Sequence, residues 1–349
     1  MLRTRPSRVL GTLLAACLVA AAPAITSGTA PADTDQDTSP DDSSPYGLAS
    51  QPAPSVTGIE LVHTLEAFVT TYPNRTTGGL DELLASEFLA ETAAGFGYET
   101  EVVSLPVIDG LPGTGPIRAV TAFKQGTDLS DQVTLFIGHY DTLPQSLQGA
   151  YDNGTGTTML LGLAESLSTV ETRRSLMFAW YNGEEEGVLG SSRHVAKLKA
   201  DGVQIEVVMG FDMVGIAFPV AEPTANTCMC MWHGQDDESM RPILAAVNYE
   251  FLEYPAGPFG GAQIVGNNNR NSDERSFENG GAVTLRWAGL KGASTYPAYH
   301  MPDDTMETIF ATAGSRANFE LGMQHTLTSA YYTALALDTI DELGGSFND

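Results

Sequence analysis

The sequence predicts an α/β fold: a three-layer sandwich whose mixed sheet is parallel at its centre and covered by helices on both faces. Residues Val133 to Ile137, Leu176 to Tyr181, Val207 to Phe211 and Val283 to Trp287 are short, nearly unbroken apolar runs, the pattern of strands buried on both sides. Helix-period segments, Thr155 to Leu167 and Gly187 to Lys199, separate the first three runs, and such alternation builds parallel crossovers. A long amphipathic segment, Arg316 to Leu337, suits a last covering helix.

From the N-terminus, Arg3, Arg5 and Arg8 precede an apolar run from Val9 to Ile25 and small residues ending in Gly28-Thr29-Ala30. This is the layout of a secretory signal peptide over residues 1–30, with cleavage after Ala30 or Ala24, and it implies a secreted or periplasmic protein. Leu14-Ala15-Ala16-Cys17 resembles the lipid-attachment box of bacterial lipoproteins, although the apolar run continues past Cys17. No other segment has the roughly 18 unbroken apolar residues of a spanning helix, so no stable membrane association is expected unless Cys17 is lipidated. Residues 31–56, rich in Asp, Ser, Pro and Thr, predict a disordered acidic linker, because they have too little apolar surface to offset ordering. A single domain is expected over residues 57–349. In it, Ile59 to Tyr72 and Leu80 to Phe96 have helical spacing, and Tyr98 to Leu105 alternates like a half-exposed strand.

The 349 residues carry 43 Asp and Glu against 17 Lys and Arg, a formal net charge of -26. With no basic stretch beyond the first residues, nucleic acid and anionic membranes are excluded as expected partners. Beyond Cys17 the only cysteines are Cys228 and Cys230, which alternate as residues on one face of a strand do and are too few for a structural zinc site.

Each buried run is followed by a candidate metal ligand or base. The first leads into Gly138-His139-Tyr140-Asp141, and Asp152 follows in Gly149-Ala150-Tyr151-Asp152-Asn153-Gly154 just before a helix. The second leads to Glu184, Glu185 and Glu186, the third to Asp212, and the fourth, beyond a loop, to His300 in Tyr299-His300-Met301-Pro302-Asp303-Asp304-Thr305. Ligands in open sheets bind at the carboxyl ends of the strands. Taken singly, these residues suit surface, turn or cap positions equally well. Together they would repel one another unless a cation sat among them. Imidazoles and carboxylates without thiolate suit zinc, and a carboxylate shared by two ions gives a two-metal hydrolytic centre. Asp141, two residues from His139, can accept the second ring N–H.

These motifs, with Ser272-Asp273-Glu274-Arg275-Ser276-Phe277, resemble the cocatalytic dizinc exopeptidases of metallopeptidase family twenty-eight, which include secreted bacterial leucyl aminopeptidases and aminopeptidase S. The resemblance runs from about Arg75 to the last helix. It implies a zinc exopeptidase fold and two zinc ions, one on His139 and Asp212, the other on Glu185 and His300, bridged by Asp152, with a non-proline cis peptide after Asp152. Aligning Gly187 and Gly190 makes Glu184 the catalytic base and Glu185 the ligand. Glu184 then takes a proton from metal-activated water and passes it to the leaving amine, while Tyr299 stabilises the oxyanion.

The expected activity is release of N-terminal residues from peptide substrates, with Glu184 and Asp212 attracting the substrate ammonium. One departure is Asn271, where related aminopeptidases often have Arg before the Ser-Asp pair. A carboxypeptidase or dipeptidase on the same core is the alternative, because Arg270, Arg275, Arg286 and Lys291 are near enough in sequence to hold a substrate carboxylate. A glutaminyl cyclase or a non-catalytic receptor-like domain fits less well, since ligands and base are all present. By the same resemblance an apolar specificity pocket is expected, with the loop Pro255 to Asn271 as a candidate lining. His194 and His325, inside expected helices, are assigned to surface or packing.

Overall fold

The computed structural model describes residues 45–105, 116–216, 230–233, 239–251, 263–266, 272–289 and 296–347. Among the described residues eight strands form one sheet: β1 (Glu99–Leu105), β2 (Ile117–Lys124), β3 (Leu129–His139), β4 (Arg174–Tyr181), β5 (Gln204–Phe211), β6 (Cys230–His233), β7 (Gln263–Gly266) and β8 (Val283–Ala288). Their spatial order is β1-β2-β4-β3-β5-β8-β6-β7. The four apolar runs are the adjacent central strands β4, β3, β5 and β8, all parallel. Strands β1 and β2 extend one side antiparallel, and β6 pairs antiparallel with β8 on the other.

The helices are α1 (Gly58–Thr71), α2 (Leu80–Gly95), α3 (Thr155–Ser168), α4 (Leu189–Ala200), α5 (Met240–Phe251), α6 (Glu274–Glu278), α7 (Met306–Thr312) and α8 (Arg316–Asp338). Alternation along the central strands divides the core between two layers. Phe136, Phe178, Met209 and Leu285 face one layer with α1, α2, α3, α5 and α8, whereas Leu135, Ile137, Ala179 and Val208 face the other with α4 and α6. Helix starts follow local chemistry: the Thr57 side chain and Glu60 form a reciprocal capping box at α1, and Ser315 caps α8.

Residues 1–30, with Cys17, and residues 31–44 of the expected linker lie outside the described residues, as do Cys228, Arg270, Asn271, Lys291 and most of the loop from 255 to 271. The linker's second half departs from expectation. Pro45–Ser50 is a short 3-10 helix packed on α8, and Leu48 and Val56 are buried in the core. Through these two apolar side chains residues 45–56, expected as linker, pack on the domain. None of the described helices is long and apolar enough to cross a membrane.

His194 on α4 is a packing residue, 2% exposed, with Nδ1 2.8 Å from the Tyr181 hydroxyl. Burial pulls its imidazole down to about 4, whereas the unfolded chain titrates near pH 6.5. As pH falls the unfolded state takes up this proton first. The stability that depends on neutral His194 is therefore complete above about pH 6.5 and lost between about 6.5 and 4, roughly 3 kcal/mol in all. Urea unfolding of the wild type and His194→Gln between pH 7.5 and 4.5 should show the gap between them changing over that interval. Parallel curves would refute this assignment.

Candidate metal centre

The carboxyl ends of the four central strands converge on a cavity of about 630 Å³ whose wall includes His139, Asp152, Glu184, Glu185, Asp212 and His300. His139 ends β3. Beyond it the chain turns through Gly149, whose φ of 52° lies in the left-handed region and whose missing side chain leaves room for Thr142. A single π-type turn, Ala150–Gly154, then presents Asp152 at the head of α3. The Asp152–Asn153 peptide is cis, as the family resemblance implies. Gly183, at φ 72°, turns the chain after β4 so that Glu184 and Glu185 re-enter the cavity. Asp212 follows β5 directly.

Two groups of potential ligand atoms result: His139, Asp152 and Asp212, and Asp152, Glu185 and His300. Asp152 belongs to both. Its Oδ1 is 3.4 Å from His139 Nε2 and its Oδ2 is 3.3 Å from His300 Nε2. Asp212 Oδ1 lies 3.8 Å from His139 Nε2, and Glu185 Oε2 lies 3.4 Å from His300 Nε2. Glu184 is in neither group, with Oε2 4.0 Å from His139 Nε2. Tyr299 stacks on the His300 ring with centroids 3.7 Å apart. His300 itself has φ 58°, a backbone state uncommon outside glycine.

The charges here are poised for a cation. Burial, then Asp152, pushes the Glu185 carboxyl up to about 10. Burial also drives Glu184 well above the usual carboxylate range, and Asp273, Asp212 and Asp152 add to it against the opposing pull of His139. For His139 burial disfavours the imidazolium, but Glu184, Asp141, Asp152 and Asp212 prevail and raise its pKa. An imidazole and carboxylate donor set this crowded fits divalent metal without further cations.

Residues behind the cavity fix these groups. Asp141 Oδ1 lies 3.3 Å from His139 Nδ1, and the same carboxylate accepts hydrogen bonds from Thr77 Oγ1 and the Gly183, Glu184 and Glu185 amides. Glu82 accepts from Tyr140, Asn182 and Arg118. Asn153 donates to the Phe211 carbonyl and accepts from the Met213 amide, tying the Asp152 turn to the end of β5. Asp304 accepts from the Tyr151 and Asp152 amides and from the Tyr296 hydroxyl. Arg286, which the sequence offers as a holder of substrate carboxylate, lies behind the site instead, 3% exposed. Its Nη2 is 2.5 Å from Asp212 Oδ2 and its Nη1 is 2.8 Å from Glu274 Oε1. Of this supporting set the sequence singles out only Asp141. Glu82 shares α2 with Asp81, Glu87 and Glu91, so its local sequence carries no signal that separates it from these more exposed acids.

Fold and ligand set together define the class: an α/β sandwich with a candidate metal centre at the carboxyl edge of its sheet. The chain belongs to peptidase family M28, whose sequence model matches residues 119–321. It is similar to aminopeptidase YwaD of Bacillus subtilis, 31% identical over 178 residues that make up 49% of this chain and 35% of that one. The match thus spans about a third of that relative's length. In structure it is similar to BSAP, a zinc aminopeptidase from Bacillus subtilis, with TM-score 0.62 and 15% identity over 80% of this chain and 95% of that one. It is likewise similar to the LapA aminopeptidase of Legionella pneumophila, with TM-score 0.63 and 19% identity over 82% and 73% of the two chains.

Arg75 supports the turn that presents Asp152. Fully buried, it donates to the carbonyls of Tyr140 (2.6 Å), Tyr72 (2.9 Å), Gln148 (2.8 Å) and Gly149 (2.9 Å). Arg75→Met leaves four carbonyls without this donor, and at about 1 kcal/mol or more each a loss of at least about 3 kcal/mol is expected. Divalent metal affinity should fall with it, while Arg75→Lys recovers part of both. Denaturant unfolding and metal titration check this; full affinity in the Met variant would show that Arg75 does not set the turn.

Proposed function

We propose that this chain is a zinc-dependent exopeptidase that releases N-terminal residues from peptides. The observation that carries the reading is Asp152, which turns one carboxylate oxygen to each of two ligand groups, the arrangement a carboxylate shared by two ions requires. Family membership and the names of the aminopeptidase relatives support the same activity. His139 and Asp212 would hold one zinc ion, Glu185 and His300 the second, and Asp152 both. When bound, the ions polarise the scissile carbonyl and acidify a water.

The polypeptide does the rest. Glu184, beside the ligands but outside both groups, receives the proton of the attacking water and returns it to the leaving amine. Burial and the nearby Asp152 and Asp212 raise the Tyr299 phenol, which stays a neutral donor for the developing oxyanion. Glu184 and Asp212 present negative charge to the substrate ammonium. A carboxypeptidase reading loses one of its cations, because Arg286 is committed to Asp212 and Glu274. The Arg-led apolar run in residues 1–30 supports export of the mature enzyme.

Two substitutions test the division between neighbouring glutamates. Glu184→Gln is expected to keep two zinc ions per chain and lower kcat by about 10²- to 10⁴-fold, whereas Glu185→Gln is expected to lose one ion. Metal analysis beside kinetics on a free-amine peptide reads both, and loss of an ion from Glu184→Gln would reverse the roles. Acetylating the substrate amine should abolish cleavage, as should a chelator. Undiminished cleavage of the acetylated peptide would rule out the aminopeptidase reading.

A further inference from the structure

The cavity has a second wall, built by the start of α4 and by α6. Ser192, Arg275, Ser276 and Asn279 line it. Among the described residues this wall is polar, and Val188 is its apolar side chain. Ser276 Oγ lies 3.0 Å from the hydroxyls of both Ser191 and Ser192, which joins α6 to α4. The Asn279 amide bonds to the Arg275 carbonyl at 3.0 Å, so the two side chains lie one helical turn apart on the same side of α6.

Arg275 is exposed, and in a chain with 43 acids to 17 bases its guanidinium makes no ion pair among the described residues. Several other arginines differ in this respect. Arg286 is committed to two carboxylates behind the site, Arg118 pairs with Glu82, and Arg316 pairs with Glu66 and Glu320. A guanidinium left open to the same cavity as Glu184, Glu185, Asp152 and Asp212 has a specific electrostatic effect. Among the described residues lining the cavity, Arg275 is the one Arg or Lys, and its planar pair of N–H donors suits a substrate carboxylate. Asn279 and Ser192 add neutral donors beside it.

We infer that Arg275 is a specificity-determining residue that receives a carboxylate of the peptide substrate, so that this enzyme favours carboxylate-bearing peptides over neutral ones. The inference rests on the aminopeptidase reading. The carboxylate has two chemical sources, the free C-terminus of a short peptide and an acidic side chain. Binding of this group is shared by the ground and transition states, so it acts through KM and leaves kcat nearly unchanged.

The experiment compares wild type and Arg275→Gln on Leu-Gly-Gly, its C-terminal amide, and amides with Glu in the first or second position. The ratio of kcat/KM for a carboxylate-bearing peptide to that for the neutral amide is expected to fall about tenfold in the variant, through KM, with zinc content retained. The peptide whose ratio falls identifies the source: Leu-Gly-Gly for the terminus, a Glu amide for the side chain. Ratios that do not change for any peptide, or a fall carried by kcat alone, overturn the proposal. Because each ratio is taken within one enzyme, partial misfolding of the variant cancels. Cleavage of an N-acetylated peptide by the wild type would instead defeat the underlying aminopeptidase reading, whatever the ratios.

Discussion

Mutual repulsion among buried carboxylates is the constraint on which the rest of this structure depends. Asp152, Glu184, Glu185 and Asp212 line one cavity at the sheet edge, with the buried Glu82, Asp141, Asp273, Glu274 and Asp304 behind them. Burying so much negative charge is costly unless each group is hydrogen-bonded or paired. Most of the outer members are satisfied by the protein, Asp141 and Asp304 by backbone amides, Glu82 by Arg118 and Tyr140, and Glu274 by Arg286, whereas both Asp273 carboxylate oxygens are buried with no hydrogen-bond partner among the described residues. The inner members turn towards one another and towards two imidazoles. A divalent cation fits among the oxygens and imidazoles of that inner set, and the outer set explains why the inner one holds its shape.

The sheet explains how the inner set comes together at all. Neighbouring parallel strands end at the same edge, and β4, β3, β5 and β8 are neighbours in that order. Apolar side chains on both faces fix their register, since a slip of one residue would turn every core group to the opposite layer. A ligand placed one to four residues past such a strand is therefore positioned by the core. This is a physical reason why structural similarity with a TM-score of 0.62 survives at 15% identity: volume and pattern in the strands matter more than which apolar residue occupies each place.

The same reasoning separates what was legible in the sequence from what was not. The central strands, the covering helices α1, α2, α3, α4 and α8 and the strand-end residues were legible, because buried strands are apolar runs and His139, Glu184, Glu185 and Asp212 follow them closely. Strand β2 was not. Its sequence contains Arg118, Thr121 and Lys124, and two of these polar ends are used elsewhere: Arg118 binds Glu82, and Lys124 donates to the carbonyls of Leu167 in the last turn of α3 and Val170 just past it. Arg75, Asn153, Asp304 and Arg286 also escaped notice as supports, because what each one holds is distant in sequence or is a backbone group, as with Arg75 and the carbonyl of Gly149. Residue type signals a partner's chemistry and says little about a backbone amide or carbonyl brought near by folding.

Asp152 shows how far the polypeptide organises the centre by itself. Its own amide is held by Asp304, the carbonyl of Gly149 before it by Arg75, and the turn after it by Asn153 against β5. Asp304 lies four residues past His300, so the loop that supplies one imidazole also fixes the carboxylate that this imidazole faces. Backbone strain accompanies the arrangement: His300 and Met213, each at or beside a candidate ligand, have φ of 58° and 51°. Left-handed backbone at non-glycine residues persists only where surrounding contacts over-determine it, and here those contacts are the hydrogen bonds among three separate loops. Asp152, the carboxylate common to both candidate ligand groups, is therefore set in place by groups that belong to neither of them.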